Sequence, residues 1–342
     1  MANSPNFIET IVISTRIRLA RNFASYPFPK RMDDAQAEDI VYLVGEGLKK
    51  IDDFTKYDIA KLDKLNGTWL QEQYLVSPAL LKGKRGAAFV SADKCISIMV
   101  NEEDHLREQY ICKGFDLYKA YERISGIDDG LAAVYDFAYN DKLGFLTACP
   151  SNLGTGMRAS VMMFLPGLTE NGELKKLLPS IKAKGMTVRG SFGEGTSAEG
   201  YLYQVSNERT LGVAERDILE KMTRTTMTLC DLEIRAREEM KKRAEILLKD
   251  RCLRAYGALT NCAVLTSKEF AEKMLEVRLG TALGFFKIRD VSGFEDFFTA
   301  MRPATFRVSN DLQSFSERKC DEIRAETVGT ALPELIAITR RK

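Results

Sequence analysis

The segment Ser14–Arg21 reads STRIRLAR, and the alternating residues over 11–18 predict a β-strand that carries Arg16 and Arg18. Side chains two positions apart on a strand point to the same face, so Arg16 and Arg18 lie side by side. Two neighbouring guanidinium groups can clamp an oxyanion, because each binds it bidentately and stays charged at any pH. A solvated basic edge strand is the simpler interpretation of this segment alone.

Hydrophobic periodicity in the rest of the chain predicts an α+β fold. A helical pattern covers residues 33–50, a hairpin is expected from strands 87–90 and 96–100, and two helices are expected between 105 and 135 with a break at 126–130. Further short strands are predicted at 144–149, 161–165, 186–189 and 201–205, and all strands should form one mostly antiparallel sheet flanked by helices. A long charged helix over 215–253 and further helices at 270–283, 294–301 and 314–331 complete the pattern. We therefore expect a catalytic domain at 1–255 and a smaller helical domain at 256–342.

Composition excludes several functional classes. Of the 342 residues, 45% are hydrophobic and 29% charged, and no apolar run has membrane-spanning length. The seven scattered cysteines contain no Cys-x-x-Cys pair, so neither a disulfide framework nor a protein-bound metal is expected. The N-terminal residues do not resemble a secretory signal, which predicts a cytoplasmic protein. The net charge of +2 does not indicate nucleic-acid binding, and a single histidine leaves little material for histidine-based catalysis.

Residues 101–107, NEEDHLR, follow a predicted strand and are expected to open a helix. A carboxylate at such a position often only caps the helix, which explains one acidic residue more easily than three. The functional alternative is that Glu102 and Glu103 bind a cationic substrate and accept its proton. His105 is expected to pack or to form hydrogen bonds.

Residues 149–160, CPSNLGTGMRAS, are expected to leave one strand, form a glycine-containing loop and enter the next strand. A cysteine beside a hydroxyl and free loop amides can have a lowered pKa, although most unpaired cysteines are inert small hydrophobes. The loop amides could cradle an anion together with Arg158.

Residues 188–196, VRGSFGEGT, place Arg189 at a strand end before a glycine-rich loop that carries Glu194. Such a loop could close over a substrate, although in isolation it is an ordinary charged turn. Arg209 adds one more arginine after the strand at 201–205.

Taken together, these segments resemble the ATP:guanido phosphotransferases, the family of creatine and arginine kinases. The family signatures are a Cys-Pro-Ser/Thr-Asn-x-Gly-Thr loop and an Asn-Glu-Glu-Asp-His strand end, and the resemblance covers residues 12–253. Within the family the chain is more similar to the bacterial protein-arginine kinases. Its arginine strand begins at Ser14, where the small-metabolite kinases carry a preceding helical domain, and the resemblance implies an open site that suits an arginine tethered to a protein.

The resemblance also implies roles for individual residues. The arginines would cradle the phosphates of ATP, with Mg²⁺ bridging those phosphates; they are Arg16, Arg18, Arg107, Arg158, Arg189 and Arg209. Glu102, Glu103 and Glu194 would align the guanidinium and take up its proton, and Cys149 would orient and polarise it.

Two departures from the family pattern affect ligand binding. Tyr74 stands where the family has a histidine near the nucleotide, and a tyrosine can stack or donate a hydrogen bond but cannot carry a positive charge. The phosphoarginine pocket of the protein-arginine kinases has the pattern Arg-Asp-x-x-Arg-Ala, and residues 320–325 read CDEIRA. Asp321 and Arg324 are therefore the candidates for such a pocket, whose first arginine is replaced by Cys320.

The resemblance implies partners as well. A protein-arginine kinase would mark proteins for a Clp-type protease or regulate a repressor in a stress response, would work with a zinc-binding activator, and would form a homodimer through its C-terminal helices. No membrane or nucleic-acid partner is expected. Two alternatives stay open: a phosphagen kinase acting on free arginine or a related metabolite, and a non-catalytic regulator that binds phosphoarginine.

Overall fold

The computed structural model describes residues 7–190 and 199–339, and its centre is an eight-stranded antiparallel sheet. The strands of this sheet are β1 (Val12–Arg21), β2 (Phe54–Asp58), β3 (Ala87–Ser91), β4 (Ile96–Val100), β5 (Leu106–Lys113), β8 (Met157–Phe164), β9 (Met186–Gly190) and β10 (Leu202–Asn207). Their order is β2-β3-β4-β5-β1-β8-β10-β9, so the arginine strand β1 lies in the middle, between β5 and β8. Two short hairpins lie outside it: β6 (Tyr139–Asn140) with β7 (Gly144–Phe145), and β11 (Phe286–Ile288) with β12 (Ile336–Ile338).

Eleven α-helices are described within residues 7–190 and 199–339. They are α1 (Asp34–Leu48), α2 (Lys64–Glu72), α3 (Pro78–Lys82), α4 (Leu117–Ala132), α5 (Pro166–Glu170), α6 (Glu173–Ala183), α7 (Glu215–Asn261), α8 (Ser267–Ala282), α9 (Val291–Ala300), α10 (Pro303–Ser309) and α11 (Glu317–Leu335). Several begin at a side-chain cap; Asp33 and Gln36, for example, form a capping box that satisfies two backbone N–H groups at the start of α1.

The two faces of the sheet differ in chemistry because strand side chains alternate. On one face Ile17, Tyr110, Ala159 and Val205 are buried in an apolar core shared with α1, α4 and α7. The opposite face carries Arg16 and Arg18 of β1. Part of that face, over β3 and β4, is covered by a smaller apolar cluster from α2 and α3, and this cluster includes Leu75.

A second large core lies in the C-terminal region. Its buried aromatic residues include Phe294 and Phe306, and they pack with α8, α9, α10, α11 and the later part of α7. Helix α7 contributes to both large cores, since Leu229 lies in the first and Leu248 in the second. The helix is interrupted at Ala244, whose φ and ψ are not helical, and it continues through residue 255, the predicted domain boundary.

Most of the predicted strands and long helices are confirmed, but four local predictions are wrong. Residues 106–113 form strand β5 and not a helix, and α4 then runs without a break through 126–130. The segment 101–107 therefore opens a strand. Only Gly144–Phe145 of the predicted strand 144–149 is paired as a strand, and Cys149 precedes a short 3₁₀ turn, Pro150–Asn152.

Among the described residues, no helix is both long enough and apolar enough to cross a lipid bilayer.

Candidate active site

Five of the six candidate arginines lie on one face of the central sheet, which we call the arginine face. Arg18 is directly opposite Arg158 across β1 and β8, and Arg107 is opposite Ala20, two positions beyond Arg18 on the same face. Arg16 precedes Arg18 by two residues, and Arg189 reaches this face through the pairing of β9 with β10. Four strands distant in sequence therefore bring these five guanidinium groups onto one surface.

The arginine face is short of negative charge among the described residues. Like charges directly opposite across two strands repel each other, as Arg18 and Arg158 do. Burial and the neighbouring Arg107 lower the pKa of Arg16 to about 10. Burial, followed by the charges of Arg16, Arg107 and Arg158, lowers the pKa of Arg18 as well. The Nε atoms of Arg16 and Arg18 are buried and have no hydrogen-bond partner in the described part of the chain. Such a surface is suited to a highly charged anion.

Glu102 is occupied by a contact within the protein. Its carboxylate accepts two hydrogen bonds of 2.8 Å from Arg107 Nη1, and it also accepts one from the Ser77 hydroxyl. The Glu102 side chain is 4% exposed and that of Arg107 is 27% exposed. Glu102 thus fixes the guanidinium of Arg107 at the edge of the arginine face.

Glu103 is the exposed carboxylate of the same loop. Partial burial and the neighbouring carboxylates of Asp104 and Glu102 raise its pKa. A carboxylate with a raised pKa holds a proton more readily, as a group that takes up a substrate proton must.

A buried polar network that the sequence did not reveal fixes the backbone of this loop. Asp104 Oδ1 accepts hydrogen bonds from the Asn22 side chain at 2.7 Å and from the backbone N–H of Ala148 at 2.6 Å. Asn22 Oδ1 in turn accepts the backbone N–H of His105 at 2.8 Å. Because Ala148 precedes Cys149, the carboxylate of Asp104 joins the loop of Glu103 to the loop of the cysteine.

His105 completes this network as a neutral imidazole. Its Nδ1 accepts the backbone N–H of Phe23 at 3.0 Å, so Nε2 must donate to the carbonyl of Pro27 at 2.9 Å. Burial lowers its pKa. The prediction that His105 packs and forms hydrogen bonds is in line with these contacts.

The loop after Cys149 is shaped by Gly154 and Thr210. Gly154 has φ 108°, and a Cβ there would lie 2.3 Å from the carbonyl oxygen of Thr210. The Thr210 hydroxyl lies within hydrogen-bond distance of the carbonyls of Ser151 and Leu153, at 2.9 and 2.7 Å. Cys149 is half-buried, and its Sγ lies 3.1 Å from Ser151 Oγ.

A cavity of about 210 Å³ lies where these elements meet. Arg18, Arg107, Arg158, Glu103 and Ser151 all contribute to its lining. Guanidinium groups, an exposed carboxylate and the hydroxyl next to the cysteine thus face one space. This arrangement can bind a phosphate group on one side and a cation on the other.

The remaining candidate residues lie elsewhere. Arg209 is exposed and lines a separate cavity of about 610 Å³ between the end of α6, the start of β9 and α7. Its backbone remains tied to β8, since its carbonyl and that of Met157 both accept from the Asn207 side chain. Glu194 lies outside the described residues.

Asp321 and Arg324 lie together but face each other. Arg324 is 2% exposed, donates to Asp321 Oδ1 at 2.5 Å and to the Leu265 carbonyl at 3.0 Å, and lies over the ring of Phe306. Cys320 beside them is fully buried. The guanidinium group of Arg324 is thus turned into the protein. A phosphoarginine pocket at this pair stays a prediction.

Comparisons with known proteins agree with this geometry. Residues 36–236 match the family described as ATP:guanido phosphotransferase, C-terminal catalytic domain, and residues 245–340 match the protein-arginine kinase McsB C-terminal domain. A protein-arginine kinase of Caldanaerobacter subterraneus subsp. tengcongensis is 40% identical over 95% of this chain and 97% of its own length. The protein-arginine kinase of Bacillus subtilis is 39% identical over 81% of this chain and 78% of its own length.

Among solved structures, the duplicated taurocyamine kinase from Schistosoma mansoni with bound transition state analog components is 28% identical, with a TM-score of 0.61. That match covers 68% of this chain and 34% of the kinase, so the chain corresponds to about a third of the duplicated protein. The predicted α+β fold with a large antiparallel sheet is confirmed. With matches over both its catalytic and its C-terminal regions, the chain belongs to the ATP:guanido phosphotransferase family.

Proposed function

We propose that this chain is a protein-arginine kinase that transfers the γ-phosphoryl group of ATP to arginine side chains of other proteins. The observation that carries the proposal is the arginine face: five guanidinium groups on one surface, bordered by Glu103 and by the loop of Cys149. A nucleoside triphosphate is a common cellular anion whose several negative charges match such a concentration of positive charge.

The arginines would act mainly through electrostatics. In phosphoryl transfer, negative charge spreads over the oxygens of the transferred group, and fixed guanidinium groups stabilise it without reorganising during the reaction. Arg18 and Arg158 face each other across β1 and β8 and line the cavity, so a phosphate between them would relieve their repulsion. ATP would enter as its Mg²⁺ complex, with the metal held by the phosphates.

Glu103 and Cys149 would act on the second substrate. A free guanidinium group has a pKa above about 12 and is a poor nucleophile while it is protonated, so a proton acceptor is needed at the point of attack. Glu103 is exposed at the cavity, and its raised pKa suits this task. Cys149 would orient the guanidinium group. Glu102 would serve as a positioning residue, because its carboxylate already holds Arg107.

Protein-bound arginine is favoured over the free amino acid by two observations. The relatives that match most of this chain are named protein-arginine kinases. In addition, Glu103 is exposed on a loop at the protein surface, where a side chain of another protein can reach it.

Further parts of the proposal come from the family resemblance. We extend the proposal to cytoplasmic action in which phosphorylated proteins pass to a Clp-type protease or a repressor is regulated. A zinc-binding activator and a homodimer through the C-terminal helices belong to the same proposal. So do the alignment of the guanidinium group by Glu194 and the contact of Arg209 with the nucleotide.

The proposal is tested by incubating the protein with magnesium-ATP and either an arginine-rich protein or free arginine, and detecting acid-labile phosphorus–nitrogen bonds by ³¹P NMR. Transfer to the protein alone is expected. Transfer only to free arginine would move the assignment to a phosphagen kinase, and transfer to neither would overturn the proposal.

Two variants test the assigned roles. Glu103→Gln and Cys149→Ala should each lower the rate of transfer strongly while leaving ATP binding nearly unchanged, because neither residue belongs to the arginine face. Matched controls are Glu122→Gln on the exposed side of α4 and Cys262→Ala at the end of α7. Full activity in both site variants would contradict the assignment.

A further inference from the structure

The C-terminal helical region contacts the catalytic sheet through the segment between α2 and α3. The carboxylate of Glu72 accepts the backbone N–H groups of Ala304 and Thr305 at 3.0 and 2.7 Å, as well as the Thr305 hydroxyl at 2.9 Å. The side chain of Gln73 donates to the same hydroxyl at 2.9 Å. The first turn of α10 is thus fixed to the end of α2 by four hydrogen bonds.

Arg302, immediately before α10, holds Tyr74. Its Nη2 donates to the Tyr74 hydroxyl at 2.7 Å, and its guanidinium carbon lies 4.6 Å from the centre of the tyrosine ring. Its Nη1 also donates to the backbone carbonyl of Glu72. One arginine of the C-terminal region therefore fixes both the ring of Tyr74 and the backbone two residues before it.

Tyr74 in turn lies at the border of the arginine face. Its carbonyl accepts the Gln109 side chain at 2.6 Å, and Gln109 is the direct cross-strand neighbour of Arg18. The next carbonyl, that of Leu75, accepts the hydroxyl of Ser97 from β4.

The backbone of Tyr74 is strained, and the contacts of Arg302 and Gln109 hold it in this conformation. Its φ is 60°, in the left-handed region that non-glycine residues rarely occupy. Residues keep such a conformation only where surrounding contacts impose it, and these positions often serve a binding site. Here the contacts come from Gln109 on one side and from Arg302 on the other. Tyr74 as a whole is 44% exposed, so part of its surface remains available to a ligand.

We propose that the C-terminal region sets the affinity for ATP, with Arg302 as a positioning residue that holds Tyr74 beside the arginine face. This inference rests on the proposed function, because it assigns the arginine face to the nucleotide. When Arg302 is removed, Tyr74 and the 72–76 backbone relax, and Gln109 loses its fixed acceptor next to Arg18. By linkage, bound ATP must in turn strengthen the docking of α10 on α2.

The test compares Arg302→Ala with the unaltered protein in full-length form, with ATP affinity measured by calorimetric titration and transfer measured by steady-state kinetics. The dissociation constant and the KM for ATP should both rise about fivefold or more, the lower end of usual coupling between sites. The kcat at saturating ATP and the KM for the protein substrate should change by less than about twofold.

Two further variants separate positioning from a general loss of structure. Tyr74→Phe keeps the ring and removes only the hydroxyl that Arg302 holds, so it should raise the KM for ATP in the same direction. Arg302→Lys should restore part of the affinity, because it keeps the charge but loses the planar fork. Arg318→Ala on α11 is the matched control, since Arg318 is an exposed arginine of the same region that pairs only with Glu322 within the described residues.

An unchanged ATP affinity in both Arg302→Ala and Tyr74→Phe would overturn the inference. A fall in kcat with no change in KM would overturn it as well, because it would place the effect on the chemical step. Failure of the unaltered protein to phosphorylate any arginine would instead refute the proposed function, and the calorimetric titration would still test the coupling.

Discussion

Replacement of Asp104 by alanine tests whether one buried carboxylate assembles the active site. Asp104 is 3% exposed, and its Oδ1 accepts two hydrogen bonds, from Asn22 and from the backbone of Ala148. Hydrogen bonds to a charged group contribute about 1.5–3 kcal/mol each. Burial raises the pKa of Asp104, and the desolvation of its charged form offsets part of this gain. We therefore expect Asp104→Ala to lower the free energy of unfolding by about 2–4 kcal/mol.

Asp104→Asn should behave differently from the alanine variant. Both donors meet the same oxygen, and an asparagine can offer that oxygen to them, so the expected loss is about 1 kcal/mol. Urea denaturation gives the two free energies, and phosphoryl transfer to a protein substrate gives kcat/KM. Asp104 joins the loop of Glu103 to that of Cys149. The kcat/KM of Asp104→Ala should therefore fall even without urea, where the variant is fully folded. A stability loss below about 0.5 kcal/mol with unchanged kcat/KM would refute the idea that this carboxylate assembles the site.

Two further predictions concern pH. If Glu103 takes up the substrate proton, kcat/KM should fall as the pH decreases through the pKa of Glu103. Partial burial and two neighbouring carboxylates raise this pKa above the ordinary 4.5. A pH–rate profile without an acid limb, or with an acid limb below pH 4.5, would contradict this role. Glu108 is fully buried, and burial together with Asp128 raises its pKa well above the ordinary value, so the stability associated with its bound proton is present at low pH and lost as the pH rises. As the pH rises between the unfolded and folded pKa values, Glu108→Gln should therefore gain stability relative to the unaltered protein by up to about 1.4 kcal/mol per pH unit. Urea denaturation at a series of pH values measures this, with Glu122→Gln as an exposed control. Parallel pH–stability curves for Glu108→Gln and the unaltered protein would count against the prediction.

Much of the fold followed from patterns within single segments. The strands at 87–90 and 96–100 and the long charged helix were predicted because each is decided by its own hydrophobic spacing. Residues 105–135 were predicted wrongly for a physical reason. Strand β5 is buried on both sides of the sheet centre, with Glu108 and Gln109 in its interior, so it lacks the simple alternation of a half-buried strand. Gly126 and Gly130 do not break α4, because the helix is held by the packing of Ile124 and Leu131 in the core.

The site was predicted less completely than the fold. Arg16 and Arg18 could be placed on one face from their spacing, but their approach to Arg158 depends on strand register, which no single segment specifies. Arg21, in the same segment as Arg16, belongs to the other face. It is 2% exposed, binds the carboxylate of Asp128 through a forked contact and covers the ring of Phe145 at 3.6 Å. Residues 16 and 18 point to one face of β1 and residue 21 points to the other. This alternation decides that Arg21 is a structural arginine.

The roles of the acidic residues show why spacing alone could not separate them. Glu102, Glu103 and Asp104 are consecutive, yet their side chains have different environments. Glu102 holds Arg107, and Glu103 is exposed at the cavity. Asp104 is buried against Asn22 and Ala148. A turn rotates successive side chains in different directions, so one tight loop can present a positioning carboxylate, a reactive one and a scaffolding one. The scaffolding residue is the one that fixes where the reactive one stands. For this reason Asn22, which has no chemistry of its own and lies 82 residues before Asp104 in the sequence, belongs to the site together with the residues that line the cavity.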